Sequence, residues 1–295
     1  MESKPYNFLS QLAIWLVLAS FLTGKGLADN SKAEESPPSG EEHSALTFKR
    51  SRATLRIIEE IEKSMVRIPA GEAVIGSNDG APFEKPEHRV YVSEFYISRY
   101  EITNRQYFQF ARYQQEYKSF FADDIYLNQQ GHPVVGVSWH DANMFCLWLS
   151  RLSNKKFRLP TEAEWEKAAT WNPDQKIRRK YAWGDRFSPA AANLLGKEDG
   201  YEFIAPAGAF PSGVSSYGIF SMSGNVQEWC ADWYAEDYYQ SSPHKDPAGP
   251  ETGAAKVVRG GSFHKSPKQA FGYIRYSMIP GNKANYFGFR IVRSR

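Results

Sequence analysis

Residues 181–260 constrain the fold of this chain more than any other part of the sequence. They are rich in Gly, Pro, Ser and Asn, and aromatic side chains are spaced among them. So long a stretch without regular periodicity is either disordered or a structured functional surface. The aromatic side chains favour structure, and the whole chain holds 19 Phe, 17 Tyr and 8 Trp. The sequence therefore predicts a packed domain of loops and short elements rather than a helical bundle.

The charge and the length of the chain exclude several classes of protein. Its 36 basic and 33 acidic residues leave a net charge of +3, which gives no net basic field for binding nucleic acid. The composition also excludes collagen, low-complexity disorder and a disulfide-dense scaffold. A chain of 295 residues corresponds to one large domain or two modest ones. The sequence shows neither an internal repeat nor an obvious second domain boundary.

Residues 1–28 are typical of a signal peptide. Their apolar stretch, 12–22, is too short to cross a bilayer, which takes about 20 residues, but it suits the hydrophobic region of a signal sequence. Small residues precede Asp29, where cleavage would fall. The alternative is an uncleaved anchor. We therefore expect a periplasmic or secreted protein with no stable membrane span after cleavage.

The next two segments connect this signal to the domain. Residues 29–47 are mostly polar, with acidic residues and proline, which is typical of a flexible linker. In the charged segment that follows, Leu55, Ile58 and Ile61 recur at helical spacing. We predict an amphipathic helix over residues 48–64 that packs onto the domain.

We expect a single domain over residues 65–295. Three sites carry the capping-box pattern, in which a hydroxyl residue is followed three positions later by a side-chain acceptor. These sites are Thr103 with Gln106, Ser138 with Asp141, and Thr161 with Glu164. Apolar residues follow each pair at helical spacing, so we predict a helix after each. Short strands are predicted at 66–69, 73–76, 89–97, 256–259, 273–276 and 288–292.

Common catalytic and metal-binding motifs are missing from the sequence. It contains no P-loop, GxSxG, HExxH or CxxC pattern, and its six His residues do not have the spacing of a local zinc site. The two cysteines, Cys146 and Cys230, could pair in an oxidising compartment. Cys146 also lies on an apolar helical face, so a buried thiol is an equal alternative.

Two loops carry oxygen ligands that suit calcium. Asn193, Asp199 and nearby backbone carbonyls offer one amide and one carboxylate, although the loop lacks the register of an EF-hand. An exposed acidic turn is the alternative. The segment 224–229, which includes Glu228, has the same ambiguity.

Several stretches of the sequence occur in an order that resembles one family. They are 66–71, 100–104, 133–139, 158–166, 182–184, 217–225, 258–262 and 288–290. Their order and content are similar to the sulfatase-modifying-factor domain of formylglycine-generating enzymes, over about residues 65–293. The resemblance implies a single compact α+β domain, low in regular secondary structure and related to C-type lectin folds.

The resemblance also implies two structural calcium sites. Asn193 and Asp199 would bind the first ion through their side chains, and Leu194 and Tyr201 would bind it through their carbonyls. The second site would use the residues Ser221, Gly224, Val226 and Glu228. The family usually has Asn or Asp in place of Ser221, and a serine hydroxyl is a weaker ligand.

The main departure from the family lies at the catalytic position. Formylglycine-generating enzymes bind Cu(I) through two cysteine thiolates, and those positions are Lys265 and Ala270 here. An ammonium group and a methyl group cannot replace copper thiolates. We therefore predict that copper is not a cofactor and that formylglycine is not made by the copper route.

Ser262, His264 and Lys265 occupy the strand that carries the active site in the family, and they are the candidate catalytic residues. A lysine removed from water beside aromatic rings could act as a base; the alternative is that Lys265 is a surface cation. Two functions follow as hypotheses. One is oxidative maturation of a peptide or peptide-like small molecule by an exported enzyme. The other is a non-catalytic, lectin-like binding or structural module of the cell envelope.

Overall fold

The computed structural model of the chain describes residues 50–294. The predicted signal peptide (1–28) and linker (29–47) lie outside the described residues. Within the described part of the chain, no helix has both the length and the apolar character needed to span a membrane.

Helix α1 (Arg52–Ser64) lies within the segment where an amphipathic helix was expected. It begins because the Ser51 hydroxyl accepts a hydrogen bond from the Thr54 backbone N–H at 3.0 Å. Ile58 and Ile61 are buried, as their spacing predicted, but Leu55 is 46% exposed. Ile57 is buried in its place. The prediction that Leu55 packs onto the domain is therefore wrong, because the buried stripe of the helix is rotated toward Ile57.

Three further helices begin at the predicted capping boxes. In each, the hydroxyl oxygen accepts the backbone N–H of the third helical residue, and that residue's side chain accepts the N–H of the cap. These helices are α2 (Asn104–Ala111), α3 (Trp139–Ser153) and α4 (Glu162–Thr170). This arrangement pairs two N–H groups that the first turn of a helix otherwise leaves unsatisfied. A short helix, α5 (Tyr238–Ser241), follows later in the chain.

The predicted strand 89–97 is two strands. The first part of the sheet region comprises β1 (Met65–Ile68), β2 (Gly71–Ile75), β3 (His88–Val92) and β4 (Phe95–Ser98). Ser93 interrupts the strand, because its N–H and hydroxyl both donate to the Asp246 carboxylate, at 2.6 and 2.7 Å. As a result β3 pairs with β2, whereas β4 pairs with β1.

The later strands complete two four-stranded sheets. They are β5 (Phe157–Arg158), β6 (Trp171–Asn172), β7 (Ile177–Arg178), β8 (Gln227–Trp233), β9 (Lys256–Arg259), β10 (Tyr276–Met278), β11 (Phe287–Gly288) and β12 (Val292–Ser294). One sheet has the order β1-β4-β12-β5 and the other β10-β9-β8-β11. All neighbours are antiparallel except β8 and β11. The pairs β2-β3 and β6-β7 form two separate ribbons.

Three strand predictions need correction. The strand expected at 273–276 begins only at Tyr276, and the one expected at 288–292 is divided into β11 and β12. Strand β8 was not predicted, because the sequence there was interpreted as a metal-binding loop. Most of its residues are buried on both faces, so it shows no alternating pattern.

The core combines aliphatic side chains with packed aromatic rings, and it encloses both cysteines. Tyr107, Phe110 and Phe145 pack with ring centres less than 6 Å apart, between 5.4 and 5.8 Å. Cys146 and Cys230 are buried and free. Burial raises the pKa of both thiols, so neither is a reactive thiolate.

Candidate functional site

A buried ion pair fixes the centre of the domain. The Glu228 carboxylate on β8 accepts two hydrogen bonds from the Arg290 guanidinium at 2.6 Å each, and one from the Trp165 indole at 2.7 Å. Arg290 also donates to the backbone oxygens of Ser98 and Phe220. Both charged side chains are fully buried, and a buried charge without its partner is costly. The pair therefore holds β4, β8 and the C-terminal segment together.

A second buried group joins α4 to β9. Arg259 donates to Glu162 at 2.7 Å and to Glu166 at 2.5 Å. Arg275 contacts both oxygens of Glu162, at 2.8 and 2.9 Å. Burial acts to raise the pKa of Glu162, but the charges of Arg275 and Arg259 outweigh it and lower the pKa below its usual range. This group, together with the Glu228–Arg290 pair, is called the ion-pair centre below.

The first predicted calcium set contains a buried oxygen without a partner. The Asn193 amide nitrogen donates to the Phe203 carbonyl at 2.7 Å and to Asn225 Oδ1 at 3.1 Å. These acceptors determine which way the amide points. Its other atom, Oδ1, is buried and has no hydrogen-bond partner. An unpaired buried oxygen of this kind suits a cation.

Asp199 is fixed in the same loop by two backbone hydrogen bonds. Its two oxygens accept the N–H groups of Leu194 and Tyr201, both at 2.9 Å. The loop thus brings together the carboxylate, the Asn193 amide and the carbonyl-bearing residues that the sequence predicted. This donor set, made only of oxygens, fits Ca²⁺.

The second predicted set fits less well. The Ser221 hydroxyl is buried and unpaired, and Ser221 has a left-handed φ of 57°. Gly224 donates its N–H to the Gly260 carbonyl at 2.7 Å, and Val226 is fully buried. The charge of Glu228, however, is already balanced by Arg290 and Trp165. A divalent cation would find no free carboxylate among these residues.

A buried carboxyl that the sequence did not single out lies beside Arg290. Glu101 is 1% exposed; one oxygen accepts from the Asn225 amide at 2.9 Å, and the other has no partner. Burial raises the pKa of Glu101 to about 8, opposed by Arg290 and assisted by Glu228. Glu101 is therefore mostly protonated at pH 7.

The three candidate catalytic residues lie on the turn after β9. Ser262 is fully buried, and its hydroxyl has no hydrogen-bond partner. The His264 ring is 4.2 Å from that of Tyr286, centre to centre. Burial and the charge of Lys265 lower the pKa of His264, so its imidazole is neutral at pH 7. The Lys265 ammonium lies 5.1 Å from the centre of the Tyr276 ring.

The positions that the resemblance assigns to the copper cysteines contact residues 192–201, which we call the predicted calcium loop. Ala270 is fully buried and contacts Ala192 and Leu194. The Lys265 carbonyl accepts the Leu195 N–H at 3.0 Å. The loop that would bind calcium therefore supports the turn that carries Ser262, His264 and Lys265, which we call the candidate turn.

Aromatic rings lead from the surface to the candidate turn. Tyr126 and Phe203, which are 60% and 41% exposed, have ring centres 5.9 Å apart. Phe203 is 6.3 Å from Phe263, which is 4.9 Å from His264. We call this series, with Tyr286 at its end, the aromatic strip. Its exposed end, Tyr126 and Phe203, provides rigid, flat surface. Phe263 is 9% exposed and connects that end to the neutral imidazole of His264.

Residues 56–295 match the family described as the sulfatase-modifying factor enzyme 1-like domain. The chain belongs to this family. It is 33% identical to the formylglycine-generating enzyme of Thermomonospora curvata, over 79% of this chain and 94% of that protein. PvdO from Pseudomonas aeruginosa is 28% identical, with a TM-score of 0.66 over 78% of this chain and 94% of that one. Treponema denticola variable protein 1 is 26% identical, with a TM-score of 0.67 over the same shares.

Membership of the sulfatase-modifying-factor family confirms the resemblance and the α+β fold. The sequence analysis singled out the loop of Asn193 and Asp199 and the candidate turn, whose functions stay predictions. It missed Glu101, the ion-pair centre and the aromatic strip. Glu101 lies within one of the stretches that carried the resemblance. Its neighbours Tyr100 and Ile102 gave no local signal that its side chain is buried.

Proposed function

We propose that this member of the sulfatase-modifying-factor family is an exported protein that binds a peptide or peptide-like molecule along the aromatic strip. There it takes part in an oxidative maturation of that molecule. The bound molecule loses two electrons and two protons, and dioxygen accepts them to become hydrogen peroxide. The observation that carries the proposal is the position of His264, at the junction of the aromatic strip and the candidate turn.

His264 has the properties of a general base. Its imidazole is neutral at pH 7, because burial and the adjacent Lys265 disfavour the protonated form. A neutral ring nitrogen can take a proton from a bound molecule. The Lys265 cation would then repel the proton and help to pass it to the reduced dioxygen, which needs it to form hydrogen peroxide. The buried Ser262 hydroxyl offers an unpaired polar group at the base of the same turn.

The proposal includes calcium as a structural ion and does not include copper. Asn193, Leu194, Asp199 and Tyr201 would hold a structural Ca²⁺, which would stiffen the loop that supports Lys265. A copper route is not proposed, because Lys265 and Ala270 provide no thiolate and the two cysteines of the chain are buried elsewhere.

A peptide library tests the proposal. We expect the purified protein to convert at least one aromatic-containing peptide to a product lighter by the mass of two hydrogens, with hydrogen peroxide released in equal amount. The His264→Gln variant should bind the same peptide and leave it unchanged. Conversion that is unaffected by His264→Gln, or no binding of any peptide, would overturn the proposal.

Non-catalytic binding is the second candidate, and two contacts favour it. The Lys265 ammonium already lies against Tyr276, and Ala270 is packed in an apolar cluster. A turn whose side chains are already packed in this way can contact a ligand without taking part in a reaction. Peptide binding without oxidation, equal in the wild type and in His264→Gln, would select this function.

A further inference from the structure

A group of positive charges lies on the ribbon β6-β7 and directly after it. Lys176, Arg178, Arg179 and Lys180 follow one another with only Ile177 between them. Lys176 and Lys180 are exposed, and Ile177 is 45% exposed. A run of like charges is often an ordinary solvated surface. The contacts of these residues distinguish this run of charges from an ordinary solvated surface.

The cations rest on aromatic rings of the chain that follows the candidate turn. The Arg178 guanidinium lies 4.8 Å from the centre of the Tyr273 ring, and the Lys180 ammonium lies 6.0 Å from that of Phe271. The two rings are 5.4 Å apart. The Gly272 N–H donates to the Lys180 carbonyl at 2.7 Å, which fixes the ribbon to this segment. The cations are therefore held in place rather than freely mobile.

Arg178 has more donors than acceptors. Its Nη2 donates to Glu87 at 3.0 Å, whereas its Nε and Nη1 are buried and have no partner. A guanidinium commonly binds a carboxylate through two parallel hydrogen bonds. The single bond to Glu87 leaves donors that a further carboxylate could satisfy after a small movement of the side chain.

The residues that follow the ribbon pack inside the domain, next to the segment after the candidate turn. Tyr181 stacks on Trp183 with ring centres 4.7 Å apart, and Trp183 packs against the cluster that contains Ala270. Lys268, in the short turn Pro267–Ala270, is exposed. We define the basic face by its cations and one ring: Lys176, Arg178, Arg179, Lys180, Lys268 and Phe271.

Carboxylates interrupt the basic face, and one of them is Asp174, in the turn between β6 and β7. Glu87 pairs with Arg178, and Asp185 accepts the Lys180 backbone N–H at 2.8 Å. A phosphodiester strand carries charges at regular spacing and would pass close to these carboxylates. Single carboxylate side chains on a flexible backbone can reach the cations on either side of them. Charge complementarity therefore favours an acidic peptide over a nucleic acid.

We propose that the basic face binds an acidic peptide segment, rich in Glu or Asp, beside the candidate turn. The inference rests on the proposed function in one respect, which is that the acidic segment belongs to the same peptide-like ligand. It adds a substrate class to that function: a peptide with an acidic segment next to an aromatic one.

The test uses fluorescein-labelled hexaglutamate and the full chain, with binding measured by fluorescence anisotropy. The double variant K180E/K268E, which changes two exposed cations, should weaken binding about tenfold or more, because each reversed charge repels the peptide. A matched control is R52E/R56E on helix α1. It makes the same change in net charge at two exposed positions, and it should weaken binding less than about twofold.

Circular dichroism and the thermal midpoint check that both variants are folded. Equal loss of binding in the two variants, or no binding of hexaglutamate to the wild type, would overturn the inference. Tighter binding of single-stranded oligothymidylate than of hexaglutamate would also overturn it, since it would assign the surface to nucleic acid. These results are independent of turnover: hexaglutamate binding without peptide oxidation rejects only the enzymatic proposal.

Discussion

Strand β9 ends at Arg259, whose guanidinium is fully buried and bonded to Glu162, Glu166 and the Gly272 carbonyl. Three residues later, Ser262 is equally buried, but its hydroxyl has no partner. The ion-pair centre and the candidate turn are thus adjacent in the chain, but they differ in their polar contacts. Arg259 has several partners and leaves Nε unpaired, whereas the Ser262 hydroxyl has no partner.

This difference indicates that the ion-pair centre stabilises the fold, whereas the candidate turn is available for binding. In the ion-pair centre each charge depends on several partners, so a single change there affects the whole domain. The candidate turn relies on ring contacts and on the predicted calcium loop. Its side chains can therefore change while the scaffold persists, which accounts for a family domain that has Lys265 and Ala270 at the copper positions.

The largest effect should come from breaking the ion-pair centre. Arg290→Met leaves the Glu228 charge buried without its partner and should lower the free energy of unfolding by about 4 kcal/mol. Urea denaturation measures this value. Arg293→Met is the matched control, because Arg293 lies on β12 and its guanidinium lies over the Tyr96 ring, 4.4 Å from the ring centre. Equal losses in the two variants would mean that the ion-pair centre stabilises the fold no more than the contact of Arg293 with a ring does.

Calcium binding should have the next largest effect on the free energy of unfolding. The ion would stabilise the loop that supports the candidate turn. At a calcium concentration about 100 times its Kd, the ion should stabilise the wild type by about 2.7 kcal/mol. Asp199→Asn removes the carboxylate and should abolish most of this gain. Thermal unfolding with calcium and with chelator measures it, and Asp123→Asn, an exposed change, is the control. A wild type that is indifferent to calcium would contradict the prediction.

Glu101→Gln tests the pH dependence of the region around Arg290. The pKa of Glu101 is about 8 in the folded protein and about 4.3 when unfolded, so the native state holds an additional proton between these values. Its contribution to stability is therefore present at low pH and is lost as the pH rises toward 8. Glu101→Gln cannot lose that proton. At pH 8 it should be more stable relative to the wild type than at pH 5, by at least about 1 kcal/mol.

Thermal unfolding at both pH values measures the difference. The Glu60→Gln variant, which changes a surface ion pair with Arg105, should show a difference near zero. A parallel response of Glu101→Gln and the wild type across the pH range would show that Glu101 is ionised throughout.

The smallest effect is expected for Ser262→Ala. Removing a buried hydroxyl without a partner should leave the free energy of unfolding unchanged or raise it by up to about 1 kcal/mol. Ser138→Ala is the control, since that hydroxyl caps α3 and its loss should cost about 1 kcal/mol. Urea denaturation compares the two. A greater loss for Ser262→Ala than for Ser138→Ala would mean that the Ser262 hydroxyl has a structural partner after all.

Local signals predicted much of the fold. The caps at Thr103, Ser138 and Thr161 depend on residues three positions apart, and the sequence shows them directly. The signal for β8 failed because burial on both faces removes the alternation that marks a strand. The division at Ser93 depends on Asp246, which is 153 residues away.

The residues of the candidate site also divide into those that a local sequence pattern indicates and those that it does not. Asn193 and Asp199 are close in sequence, and the loop could be found from them. Arg259 pairs with Glu162 across 97 residues, so nothing near either residue in the sequence indicates their contact. Pairings of this kind are set by the topology of the sheets, which no local pattern specifies.

Strand β12 has a consequence for how the protein is made. It lies between β4 and β5, and Ile291 just before it donates its N–H to the Ser98 hydroxyl across 193 residues of sequence. A ribosome that has synthesised β1, β4 and β5 has produced a sheet with its middle missing, and Arg290 has yet to reach Glu228. In a nascent chain this sheet stays incomplete until β12 emerges. A chain that is terminated before β12 exposes the unpaired edges of β4 and β5 to proteases and chaperones.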